Sequence, residues 1–126
     1  MARLAAIGIV TSDIAESVRF YRLLGLEIPD SDGSPHHDVA LPGGVRLMWD
    51  AAELIRQLYP DREEPRGQRM ALAFECVSPA EVDATYARVV EAGFKGEKEP
   101  YDAFWGQRYA NLADPDGNVV DLFAAL

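Results

Sequence analysis

Residues 78–94 read SPAEVDATYARVVEAGF. Ser78 suits an N-cap, Pro79 the first turn, and Glu81 the third position of a capping box. Val82, Tyr86 and Val89 then recur at helical spacing. Gly93 supplies the left-handed residue that closes such a helix. Residues 13–26, DIAESVRFYRLLGL, repeat the same grammar. Asp13 caps and Glu16 follows three positions later. Ile14, Val18, Tyr21 and Leu24 make the apolar stripe, and Gly25 ends it. Gly25 and Gly93 stand 68 positions apart, each followed by an apolar residue and the start of a strand. The chain is an internal duplication, which constrains the fold more than any single motif does.

The strands follow from these two anchors. Residues 4–10 form an apolar run before the first helix. A short strand is expected at Glu27–Ile28, then a polar loop from Pro29 to Pro35. Strands at 37–41 and 45–49 are joined by Pro42-Gly43-Gly44, a hairpin signal. The second round has strands at 70–77, 94–100, 105–112 and 118–124. Its last two are joined by Asp114-Pro115-Asp116-Gly117-Asn118, residues suited to a turn. The order β-α-β-β-β thus occurs twice, in one α+β domain over 1–126. Module one covers about 1–50 and module two about 69–126. The charged stretch 51–68, with Pro60 and Pro65, reads as a linker or flap. One helix covers one face of each sheet. The other face must meet a ligand, the other half, or a second chain.

The 126 residues are 48% hydrophobic and 26% charged, ordinary for a globular core. With 21 acids against 12 bases the net charge is −9. That argues against a grip on nucleic acid, which needs clustered Lys and Arg. It permits a cationic ligand. No apolar run approaches membrane-span length, and no signal-peptide stretch opens the chain. A cytoplasmic protein is expected. Cys76 is the lone cysteine, so no disulfide can form within the chain.

Several segments together resemble the vicinal oxygen chelate superfamily of glyoxalases, bleomycin-resistance proteins and extradiol dioxygenases. They are Ile9-Val10-Thr11-Ser12-Asp13 before the first helix, Phe20–Leu26 at its end, Ala71-Leu72-Ala73-Phe74-Glu75, and Trp105–Ala110 leading into Asp114–Phe123. The likeness covers essentially the whole chain. It implies two β-α-β-β-β modules forming a cupped mixed sheet. It also implies a divalent metal held by His, Glu or Gln from the first and last strands of each module. Carried over residue by residue, those positions are Ala6, Leu47 (with the hairpin glycines as anchor), Ala71 and Asp121. Three carry no lone pair, and one carboxylate cannot replace a set of three or four donors. His36 and His37 are adjacent, so on a strand they point to opposite faces. The expectation is therefore a branch without metal or other cofactor.

Strand alternation then sorts the cup. Asp121 brings Val119 and Phe123. Ala71 brings Ala73 and Glu75. Ala6 brings Leu4 and Gly8, and Leu47 brings Val45 and Trp49. Small residues leave space, and Trp49, Trp105, Tyr101, Phe104 and Phe123 supply aromatic walls. Glu75, Asp121 and His37 complete the candidate ligand-binding set. A flat, partly cationic molecule matches aromatic faces and carboxylates. Arg108 or Arg46 can also neutralise the acids, and the aromatics equally suit a core or a subunit contact. No nucleophile paired with a base is legible, so no catalytic residue is assigned.

The expected function is sequestration of a hydrophobic aromatic or cationic compound, such as an antibiotic, by a homodimer. Two alternatives stand beside it. One is a metal-dependent lyase, isomerase or dioxygenase with other ligands. The other is a metal-free enzyme using Glu75 or Asp121 for proton transfer.

Overall fold

The computed structural model describes all 126 residues. In chain order they form β1 (Ala6–Thr11), α1 (Ile14–Leu23), β2 (His36–Ala40), β3 (Arg46–Ala51) and α2 (Ala52–Leu58). Then come β4 (Ala71–Glu75), α3 (Pro79–Glu91), β5 (Lys95–Ala103), β6 (Gln107–Ala113) and β7 (Val119–Ala125). The α+β class with mixed sheets is as the sequence predicts. No helix is long and apolar enough to cross a membrane.

Both helix starts rest on the expected side chains. Asp13 accepts from the Glu16 N–H, and Ser78 from the Glu81 N–H. The reciprocal half of each capping box differs. Glu16 pairs with Arg19 instead, and the Asp13 N–H goes to Thr11 Oγ1. Glu81 reaches the N–H of Val77, one residue before the cap. Gly25 and Gly93 close their helices at φ +101° and +99°. A side chain there would carry the strain of the left-handed region.

The short strand expected at Glu27–Ile28 is absent. Its place in a ladder is taken by a side chain: Arg22 Nε donates to the Ile28 carbonyl at 2.8 Å. Pro29 follows and has no N–H to offer a neighbouring strand. The first module therefore has three strands, ordered β1-β3-β2, and the second has four, ordered β4-β7-β6-β5. In each, the first strand runs parallel to the last, and the remaining pairs are antiparallel. Each module keeps its own mixed sheet. β1 and β4 are both edge strands.

The two modules are joined on the helix side. Arg19 of α1 donates to the Ala92 carbonyl at the end of α3, and Arg88 of α3 donates to the Leu23 carbonyl at the end of α1. Each helix thus receives a cation at its negative C-terminal end from its counterpart. The duplication read in the sequence is repeated in these contacts. Phe20 meets Phe94 edge to face at 5.3 Å, and Arg19 lies 4.2 Å over the Phe94 ring. Below them Tyr21 donates to Asp114 at 2.8 Å, both residues buried. The core of Phe20, Tyr21, Trp49, Val82, Leu112 and Leu122 runs through both modules. Both sheets keep their other face open.

Candidate functional site

Register decides which side chains face the helices and which face outward. On β1 and β3, Ile7 pairs with Leu47 and Ile9 with Trp49. These four belong to or pack on the core, with Leu47 2% and Trp49 0% exposed. Trp49 Nε1 donates to Ser17 Oγ of α1 at 3.0 Å. The outward set is Ala6, Gly8, Arg46, Met48 and Asp50. The expectation that Leu47 and Trp49 line the cup is thereby corrected. Both hairpin turns hold five residues, between Ala40 and Arg46 and between Ala113 and Val119. Gly117 therefore matches Gly44, and Asp121 matches Met48. Anchoring on Gly43 slips the register by one, and a slip of one inverts the face of every side chain.

The two histidines separate as alternation requires. His37 turns inward: its ring lies 5.9 Å from that of Trp49, and Nε2 donates to the Pro29 carbonyl. It does not reach the open face. His36 does, at the first position of β2, one residue ahead of the strand expected at 37–41. Its Nδ1 lies 2.7 Å from Asp50 and its Nε2 2.8 Å from Asp38, which Arg46 also contacts. Carboxylates only accept, so both ring nitrogens carry hydrogen. Asp50 first, then Asp38, raises the His36 pKa. Arg46 and His36 hold the Asp38 carboxyl below the usual range.

A folded-state pKa above the unfolded one stabilises fully below the unfolded value of about 6.5 and is lost as pH rises through the folded value. His36→Asn is therefore expected to cost more stability at pH 5.5 than at pH 9, measured by urea unfolding. An equal cost at both would remove the ion-pair account.

The second sheet carries a different surface. One rung crosses all four strands: Tyr101 opposite Tyr109, Tyr109 opposite Phe123, Phe123 opposite Glu75. The next holds Lys98, Asn111, Asp121 and Ala73, and the third Ala113, Val119 and Ala71. The opposite face of these strands packs under α3 through Val120, Leu122, Ala110 and Leu112. On the open rung Tyr109 and Phe123 stack at 6.3 Å, and Tyr101 meets Tyr109 at the same distance. Trp105, 49% exposed in the β5–β6 turn, sets its ring 5.3 Å from Tyr109. Phe104 stands beyond it, 98% exposed and touching only this margin of the array through Trp105.

Asp121 is half-buried and accepts from Tyr109 Oη and Asn111 Nδ2, each at 2.6 Å. Burial, then Asp121, pushes the Tyr109 phenol up to about 12, so it keeps its proton and donates. Glu75 is exposed and makes no ion pair or side-chain hydrogen bond. Neither arginine offered as a neutraliser reaches these acids. Arg108 faces the helix side and bonds Asp83 and Asp102, while Arg46 bonds Asp38.

Tyr101, Trp105, Phe123, Glu75 and Asp121 are thus brought together, with Phe104 at the margin. Tyr109, Asn111, Lys98 and Gln107 were missed. The turn at 114–118 held the signal, because each residue of β6 lies opposite the residue equally far beyond that turn.

Along β7 this surface runs from Phe123 past Asp121 to Val119, where a cleft of about 530 Å³ opens between the β1 and β4 edges. Val10, Met70, Ala71 and Val119 give it apolar walls, and Arg62 and Ala52 stand at the side of α2. Its size lies within the range of small-molecule sites.

The family's metal does not fit these residues. Ala6 and Ala71 present methyl groups, Met48 a thioether, and both Asp121 oxygens are engaged by neighbours. No three His, Cys, Asp or Glu side chains converge in an arrangement that could hold an ion.

Comparison with known proteins gives a consistent answer. The model of the Glyoxalase/Bleomycin resistance protein/Dioxygenase superfamily matches residues 3–122. The chain is 25% identical to the uncharacterized protein YraH of Bacillus subtilis, over 98% of this chain and 99% of that one. A glyoxalase/bleomycin resistance protein/dioxygenase family enzyme from Burkholderia phytofirmans superposes with a TM-score of 0.84 at 26% identity, covering 99% of this chain and all of that one. A glyoxalase/bleomycin resistance protein/dioxygenase from Nocardioides does so at 0.76 and 30% identity, covering 100% and 85%. The duplicated modules, their helix-side pairing and the match over nearly every residue make this chain a member of the glyoxalase/bleomycin resistance protein/dioxygenase superfamily.

Proposed function

We propose that this chain reversibly binds a planar aromatic small molecule on the open face of its second sheet, without a metal ion, and acts by sequestration. The observation that carries the reading is the continuous rung Tyr101–Tyr109–Phe123 with half-exposed Trp105 against it. Flat rings stack on such a surface with offset or edge geometry. Binding of this kind needs complementarity and no reacting group. A compound such as an antibiotic fits this chemistry. Two copies of the chain associate in the same reading, because Met70, Val77 and Phe104 remain large and exposed.

The two tryptophans make the test internal. Trp49 is sealed in the core, so only Trp105 can report a ligand on the open face. Titration with a panel of planar aromatic compounds is expected to give saturable fluorescence quenching with at least one. Trp105→Phe should abolish the signal, and Tyr109→Ala should weaken binding about tenfold, the size of one stacked pair. No saturable quenching across the panel would end this reading. So would stoichiometric metal retained in protein purified without added ions. Light scattering that gives the mass of one chain at every concentration would remove the dimer.

A further inference from the structure

We propose that the cleft between β1 and β4 takes up a short extended peptide with alternating apolar residues, bonded on both sides as a strand added between the two sheets. This is a second site, independent of the aromatic rung.

The ladders fix where the backbone groups point. The Arg46 N–H bonds the Ala5 carbonyl. In the parallel β1–β3 ladder this turns Ala5, Ile7 and Ile9 toward β3, and the N–H and C=O groups of Ala6, Gly8 and Val10 the other way. The Cys76 N–H bonds the Phe123 carbonyl. By the same alternation Leu72 and Phe74 bond β7, while Ala71 and Ala73 present their backbone groups at the open edge. β1 and β4 do not bond each other, and no turn or cap supplies these groups with a partner. Every residue from Ile7 to Ser12 lines the cleft, as does every residue from Met70 to Leu72. Successive side chains of a strand point to opposite faces, so an unbroken run meets one cavity along its backbone edge.

Two facing edges select the occupant. Each edge strand of this fold already has one side bonded, so the sheet of a second copy cannot satisfy both walls. A peptide has both edges free and can donate and accept toward β1 and β4 in turn. Its side chains then meet two different surroundings. On the helix side stand Ile7, Ile9 and Leu72, and on the open side Gly8 and Ala71 leave room. Apolar residues are therefore expected at every second position.

The composition of the edges supports this use. Proteins usually blunt an exposed edge with charge, proline or a bulge. The outer edges here follow that practice. β5 carries Lys95, Glu97, Lys98, Glu99 and Pro100 together with register shifts, and β2 carries the His36–Asp38 pair. The edges that face the cleft, AIGIVT of β1 and ALAFE of β4, have unbroken register and no proline. Their one charged residue is Glu75, at the far end of β4.

Capped peptides Ac-Xaa-Thr-Xaa-Thr-Xaa-NH₂, with Val, Leu or Phe as Xaa, test the slot by calorimetry and amide hydrogen exchange. At least one is expected to bind saturably and to slow exchange at Ala6, Gly8, Val10, Ala71 and Ala73. N-methylation of the Xaa amides, or of the Thr amides, should each weaken binding at least tenfold, at about fivefold per hydrogen bond lost. Gly8→Pro removes an N–H from the open edge alone and should weaken binding about fivefold. Gly8→Ala is its control, since a methyl group there meets nothing closer than Met48 Cε at 3.8 Å. Circular dichroism checks that both variants fold, and the methylated peptides keep the test independent of them. A loss with only one methylation pattern would mean addition to a single edge and overturn the proposal. Equal binding of both methylated forms would reduce the cleft to an apolar cavity and overturn it too. So would no binding by any of the peptides, or protection of these amides that appears only as the protein concentration rises, the mark of a second copy in the slot.

Discussion

Trp49→Ala is expected to destabilise the fold by about 4 kcal/mol, in the upper range for removing a buried aromatic side chain. Trp49 is the largest fully buried side chain of the protein. Its ring meets Tyr21 at 6.0 Å and His37 at 5.9 Å, and it ties β3 to α1 through Ser17. Truncation removes these contacts, leaves a cavity under α1, and strips Ser17 Oγ of its donor. Ser17→Ala is the control, losing only the acceptor and costing about 1 kcal/mol. Urea unfolding followed by circular dichroism measures both. A loss near zero for Trp49→Ala would return that residue to the open face and overturn the register of β3.

The second large effect is expected at Asp114. Its carboxylate is buried and accepts four hydrogen bonds. Oδ1 takes the N–H groups of Asp116 and Asn118, and Oδ2 takes Asn118 Nδ2 and Tyr21 Oη. No cation faces it. Asp114→Asn replaces one acceptor oxygen by an NH₂ group that must point at donors. The expected cost is about 3 kcal/mol, since a charged acceptor with buried partners is lost. For a chain of this size that lowers Tm by roughly 10 °C. Tyr21→Phe should cost less, because the turn keeps its other three bonds. The double variant should fall short of the sum, as the two residues share one interaction. An unchanged Tm for Asp114→Asn would mean that the buried hydrogen bonds to this carboxylate contribute little to the joining of the modules.

Asp114 also shows how much of a residue's role a sequence can carry. Its membership of a turn is local: Asp at the start, Gly at the left-handed position and Asn after it are demanded by the backbone whatever surrounds them. That part is legible. The bond to Tyr21, 93 residues earlier, is set by how the two modules come together. No spacing rule reports it. His36 and His37 divide in the same way. Alternation separates them on sight, but which of the two faces outward depends on the pairing of β2 with β3. The candidate site follows the same pattern. Glu75, Asp121 and Phe123 sit on strands whose outward face could be inferred from the apolar alternate residues. Tyr109 and Asn111 lie on β6, on the other side of β7 from Glu75, and only the hairpin register sets them beside Asp121.

Taken alone, the amino-acid sequence determined what depends on near neighbours: two capped helices with closing glycines, the repeated order of elements, and the turn before the last strand. The tertiary structure decided which face each residue of β3 presents, the separation of the two sheets, and the turning of Tyr109 and Asn111 onto Asp121. Those are outcomes of strand register and module contact. Side chains alternate with period two, so a pairing shift of one residue, invisible to local preference, moves a tryptophan from a binding surface into the core.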